Sequence, residues 1–203
     1  MILSNVAILE ALNKGLFSVE PLSGQDPSAP PFNTSALDLR LGPEINVPRT
    51  NEAPIQLDLR KPGIAALLRK HCDVLRISED QPFSLRPHRF VLGMTMELVR
   101  FPLGGPQTLS LAARIEGKSS LARCGLLVHF TAPTIHAGFS GRIALEMINL
   151  GPADILLTPG MFICQLILEE VRGAPADAPN QFRNQSTPTG SRAASRRARS
   201  IIR

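Results

Sequence analysis

The sequence predicts a mainly β fold, an antiparallel sandwich or barrel-like domain with small helices at its start. Three observations carry this. From about residue 82 onward, short segments rich in Val, Ile, Leu, Phe and Thr follow in quick order: FVLGMTMELV, TLSLAARIE, LLVHFT, RIALEMINL, DILLTP and MFICQLILEEV. Gly and Pro separate them, as tight connections between strands require. Helical spacing of apolar residues is confined to the part of the chain before them.

The elements follow in order. Residues 4–14, SNVAILEALNK, predict a helix: Ser4 caps its start, Val6, Ile8, Leu9 and Leu12 keep near-helical spacing, and Gly15 ends it. A Pro/Gly/Ser-rich loop covers 21–34. ALDLRLG at 36–42 alternates Leu37, Leu39 and Leu41 with Asp38 and Arg40, which predicts a strand with one wet face. KPGIAALLRKH at 61–71 is a second helix, with Gly63 weakening its first turn. The β segments then run to residue 172 and complete one domain, 1–172. Residues 173–190, GAPADAPNQFRNQSTPTG, read as an extended arm, and 191–203 as a basic tail. No internal repeat is visible.

Composition narrows the function classes. The chain of 203 residues, 43% of them hydrophobic, can bury a proper core. No stretch approaches the roughly 20 apolar residues that span a bilayer. The first segment lacks a basic start and carries an acid at Glu10, so it does not read as a signal peptide; a cytoplasmic location is the expectation. Cys72, Cys124 and Cys164 are odd in number and widely spaced, which predicts free thiols and neither a disulfide framework nor a structural zinc site. His71, His88, His129 and His136 are scattered, without an HxE or HExxH arrangement, so no histidine-held zinc is expected. The formal charge of +5 equals the five arginines of the tail, Arg192, Arg196, Arg197, Arg199 and Arg203. Residues 1–190 are therefore neutral, and neither polymeric nucleic acid nor a membrane is the expected partner.

Three stretches bear chemistry. In GKSSLARCGL, 117–126, a helical turn would offer free backbone N–H groups near Ser119 and Ser120, with Lys118 and Arg123 adding charge. That suits a phosphate; it also suits a plain helix start with two surface cations. In RIALEMINL, 142–150, strand alternation puts Ile143, Leu145 and Met147 on one face and Arg142, Ala144 and Glu146 on the other. Glu146 is either a solvent-facing acid or a pocket base that holds a water and moves its protons. In TAPTIHAGFSG, 131–141, Gly138 and Gly141 make a tight turn in which His136 is a ligand contact or a turn residue.

Together these segments resemble the dCTP deaminase branch of the dUTPase-like superfamily. GKSSLARCGLLVHFTAP resembles the family's GKSSLARLGL or GRSSLARLGL motif, and IHAGFSGRIALEMIN resembles its IDPGFxGxITLEFxN motif. PGMFICQLILE resembles the late strand and QFRNQSTPTG the glutamine-containing closing arm; MILSNVAILEALNKGLFSVEP and SALDLRLG are similar to the opening helix and first strand. The resemblance covers residues 1 to about 190 and is most specific over 117–146.

It implies a distorted jelly-roll or β-barrel subunit (a β-clip) in a homotrimer with sites at subunit interfaces. It implies zinc-independent deamination of dCTP to dUTP, with Mg2+ arriving on the triphosphate. By resemblance Glu146 is the proton shuttle, and Ser119 and Arg123 position the attacking water and hold Glu146 ionised. Lys118, Ser120 and the backbone through Leu121 and Ala122 hold phosphate, Ala144, Leu145 and Glu146 lie beside the base, and Gln181 and Gln185 close over the triphosphate. The sequence departs from the family's pattern in three places: His136 replaces the usual Asp, Gln181 replaces a Lys found in some members, and the arm carries Ala174, Ala176 and Ala178 with no Tyr in the chain. The first bears on sugar contact and dUTP hydrolysis, the others on triphosphate binding. Two rival expectations are a dUTP diphosphatase or a bifunctional, dUMP-forming enzyme, and a catalytically silent nucleotide-binding regulator.

Overall fold

Helix α1 (Asn5–Asn13) begins where the sequence places it: Ser4 Oγ accepts from the Ala7 N–H at 3.3 Å. Gly15, at φ 68°, turns the chain out of the helix in a conformation that costs glycine little. The computed structural model describes residues 1–49, 58, 64–105, 108–178, 185, 187 and 188. Gln181, most of the outer arm, the tail at 191–203 and the first residues of the second helix lie outside them.

The strands after α1 are β1 (Ser18–Glu20), β2 (Phe32–Asn33), β3 (Ala36–Arg40) and β4 (Glu44–Pro48). Helix α2 (Ile64–Lys70) leads into β5 (Cys72–Arg76), β6 (Phe83–Leu85), β7 (Phe90–Arg100) and β8 (Ser110–Gly117). The single turn α3 (Ser119–Ala122) precedes β9 (Leu126–Val128), β10 (Thr134–Ile135), β11 (Ser140–Asn149), β12 (Ile155–Leu157) and β13 (Phe162–Val171). Every paired strand is antiparallel to its neighbour. One sheet runs β5-β4-β7-β11-β9, with β1 added along β7; the other runs β10-β8-β13-β3-β2; β12 and β6 form a separate ladder. Leu37, Leu39, Ile115, Leu166 and Leu168 from one sheet and Ile45, Val91, Leu145 and Met147 from the other belong to one buried apolar cluster. Burial of such side chains contributes roughly 1.5–3 kcal/mol each before conformational entropy is counted. Among the described residues, no helix is long and apolar enough to cross a membrane.

The wet face expected of β3 is not wet. Asp38 is 8% exposed and accepts from Asn33 Nδ2, Gln165 Nε2 and Lys118 Nζ. Arg40 donates through Nε to the buried Glu97 at 2.6 Å, and its backbone N–H donates to the same carboxylate at 2.9 Å. Polar partners from β2, β7, β13 and the segment before α3 replace the water that the alternation suggested.

Candidate active site

Strand β11 carries the candidate base. Its burial alternates residue by residue, so Ile143, Leu145 and Met147 enter the core while Arg142, Ala144 and Glu146 lie on the other face. Glu146 pairs across β7 with Leu92. On the other side β9 pairs Val128 with Met147, and the chain beyond it brings His129 back over Glu146, its N–H donating to the Glu146 carbonyl at 2.8 Å. His129 does this at φ 53°, a left-handed conformation unusual for a residue with a side chain.

The two side chains meet. His129 Nδ1 is 2.9 Å from Glu146 Oε2, with the imidazole 8% and the carboxylate side chain 34% exposed. The ring is not lined up for a hydrogen bond, which leaves Nδ1, Nε2 and Oε2 buried without one. Electrostatic attraction at this distance survives such misalignment. Burial pushes the Glu146 carboxyl up, but the His129 contact, the charge of its imidazole and a backbone N–H outweigh it and hold the group below the usual carboxylate range.

Around this pair lies a cavity of about 280 Å3. His136, Ala144, Glu146 and Gln185 line it with His129, Thr134, Ile135 and Phe139. Gln185 is fixed by main chain: it forms a parallel bridge with Gly141, and its carbonyl accepts from the Arg142 N–H at 3.1 Å. Gly141, at φ 150°, permits this approach, because a Cβ there would stand 2.7 Å from the Gln185 carbonyl oxygen.

The other predicted residues are elsewhere. Leu145 is fully buried on the core face and can offer a ligand only its backbone. Ser119, Ser120, Ala122 and Arg123 are exposed and Leu121 packs on the core; with Lys118, none of them lines the cavity. The Leu121 and Ala122 N–H groups both donate to the Lys118 carbonyl, so the N–H groups of Ser119 and Ser120 precede the first bonds of the turn. Lys118 Nζ lies against Asp38. Gly125, at φ 92°, sets how the chain leaves α3: a Cβ there would stand 2.2 Å from the Gly151 nitrogen. Among the described residues no three His, Cys, Asp or Glu side chains gather as metal ligands. A Mg2+ carried on a triphosphate asks for no such protein cage.

The sequence reading missed His129 as a site residue. Its motif position, two residues beyond an apolar pair, carries no mark; only the β9–β11 register sets it over Glu146. Asp38 was missed for a related reason, since two of its three donors, Lys118 and Gln165, lie 80 and 127 positions away in sequence.

A β domain with a half-buried carboxylate in a half-open cavity, and a turn bearing hydroxyls and cations apart from it, has the features of a protein class that binds and works on small polar molecules. A family model described as dCTP deaminase-like matches residues 2–171, and the chain belongs to that family. It is 35% identical over 198 residues to a "dCTP deaminase, dUMP-forming" of Dictyoglomus thermophilum, covering 95% of this chain and 94% of that one. It is 37% identical over 199 residues to a dCTP deaminase of Halorubrum lacusprofundi, covering 95% and 91%. A solved 2'-deoxycytidine 5'-triphosphate deaminase of Agrobacterium tumefaciens shares the fold at TM-score 0.60 and 20% identity. That match covers 84% of this chain and 47% of the other, so this chain spans about half of that structure's length.

Proposed function

We propose that the protein hydrolyses dCTP to dUTP and ammonia. The observation that carries the reading is Glu146, anchored in the cavity and held ionised. Glu146 takes one proton from water as the oxygen bonds to cytosine C4 and passes it to N3. It then takes the second proton from the new hydroxyl and gives it to the amine, which leaves as ammonia while C4 becomes a carbonyl. The pair of transfers uses one carboxylate as base and then acid.

Ser119 and Arg123, which fix the water in this scheme, do not share the cavity with Glu146 in one chain. Their separation supports a homotrimer in which α3 of one subunit completes the cavity of the next. Lys118, Ser120 and the backbone N–H groups of that turn hold phosphate, Gln181 and Gln185 close over the triphosphate, and Mg2+ enters with the nucleotide in a cytoplasmic setting. Residues 173–190 serve as the closing arm and 191–203 as a dispensable tail.

A second reading, direct formation of dUMP, is favoured by the names of several relatives. His136 opposes it. By the resemblance, dUTP hydrolysis uses a carboxylate at this position to activate the water, and this chain carries an imidazole there. His136 still suits a sugar hydroxyl as hydrogen-bond partner. A silent regulator would have no use for an anchored, ionised Glu146.

Incubation of purified protein with dCTP, dCMP and dUTP in Mg2+, with products resolved by chromatography, tests this. We expect dUTP and ammonia from dCTP, and added dUTP left intact. Accumulating dUMP and diphosphate would move the protein to the bifunctional reading, and absence of turnover would overturn deamination.

A further inference from the structure

We infer that His129 is a positioning residue for Glu146: its imidazole fixes the Oε2 edge of the carboxylate and leaves Oε1 to work on the substrate. The inference rests on the reading of Glu146 as the proton shuttle, but its structural half stands on separate observations. Oε2 is buried and 2.9 Å from Nδ1, so it is the oxygen withdrawn from the cavity. The imidazole itself is buried and has no hydrogen-bond partner on either nitrogen. A polar ring buried in this way costs free energy unless something in its surroundings compensates. The carboxylate is the charge it faces. His129 is also held at φ 53°, a strained conformation of the kind that persists where the surroundings over-determine it.

The other groups around Glu146 do not supply this contact. On β11 itself, Arg142 shares the face but donates through Nη1 to the Thr95 carbonyl at 3.2 Å. From β7, Leu92 stands opposite and brings no charge. From the turn before β11, His136 is exposed at the cavity's rim, and the arm contributes the uncharged Gln185 and Pro188. Among the described residues of one chain, His129 is therefore the titratable group placed against the carboxylate; Arg123, brought by a neighbouring subunit in the proposed homotrimer, would face the cavity side.

Two nearly isosteric variants separate charge from shape. Asn and Asp both accept left-handed backbone conformations, and both put an atom close to where Nδ1 lies. His129→Asn can still donate to Oε2; His129→Asp sets a second carboxylate against it. A carboxyl held below its usual range is ionised above its folded pKa and loses that state as pH falls through it. Imidazole therefore extends the active range toward acid, and a carboxylate in its place retracts it.

We expect His129→Asn to keep kcat within about tenfold of wild type, with KM for dCTP little changed. We expect His129→Asp to move the acid limb of the kcat/KM profile upward by about one pH unit or more. Equal profiles for the two variants would overturn the inference, because a merely structural role is indifferent to the charge. Carbon-13 NMR titration of labelled glutamate in the wild-type protein supplies a readout without turnover. Glu146 should titrate below the ordinary Glu range, and an ordinary value would overturn the pairing. If Glu146→Gln kept full activity, the shuttle reading would fail while this titration still decided the contact.

Discussion

Replacing Asp38 by Asn removes the anion to which Lys118 is tied, and the structure sets the size of the effect. Asp38 accepts from two neutral donors, Asn33 Nδ2 at 2.8 Å and Gln165 Nε2 at 3.2 Å, and from the Lys118 ammonium. The Asp38 side chain is 9% exposed and that of Lys118 20%. An amide keeps one acceptor but presents its own N–H groups either to the ammonium or to the two neutral donors. Breaking a fully buried pair from one side costs about 3–5 kcal/mol, and the partial exposure of Lys118 lowers this to roughly 2–3 kcal/mol. For a chain of this size that is a fall in Tm of roughly 5–10 °C. Differential scanning calorimetry of the single variants Asp38→Asn and Lys118→Met and of the double variant gives the coupling. The double variant, with no charge left to strand, should recover at least about 1 kcal/mol relative to the sum of the singles. An Asp38→Asn protein that melts with wild type, or strict additivity, would show that the contact does not hold the segment leading into α3.

Three further outcomes follow from the site. Glu146→Gln keeps the shape of the side chain and removes the base, so steady-state deamination should fall by about 10²–10⁴-fold while calorimetry still detects dCTP binding. Gly141→Ala places a methyl group 2.7 Å from the Gln185 carbonyl oxygen; it should raise KM for dCTP and speed proteolytic cleavage after residue 178 without changing the circular dichroism spectrum. Removal of 191–203 should leave turnover nearly unchanged, whereas truncation from Gln181 onward should raise KM and lower kcat, since a closing arm excludes water; equal effects in a turnover assay would separate the arm from the site.

Much of the fold was legible because its cues are local. Ser4 and Gly15 bracket α1, and the alternation Ile143, Leu145, Met147 told the core face of β11 from the face of Glu146. The turn glycines at 138 and 141 lie where the chain needs φ of 85° and 150°. What stayed hidden is non-local. The same alternation misread β3, because Asp38 and Arg40 find partners 57 to 127 positions away in sequence. His129 looked like one of four scattered histidines, since strand register is not written in residue order. The motif through α3 was recognisable, but nothing in it says that one chain leaves Ser119 and Arg123 outside the cavity of its own Glu146. Completion of the site by a neighbouring subunit would give that separation a physical reason.

The attachment of the arm has a consequence for how this protein can change over generations. Gln185 is seated mainly through its backbone, against a strand position where no side chain intervenes, and its Nε2 adds only a long 3.5 Å contact to the Arg142 carbonyl. Main-chain bonding is blind to which side chain hangs from the seated residue. The demand for an exact fit is thus exported from the arm to Gly141. Substitutions at 185 can rewrite what the arm shows to a ligand while it keeps the same address, whereas position 141 has no such freedom. Recognition and attachment are separately heritable traits here, and diversity among related arms should coexist with a constant glycine beneath them.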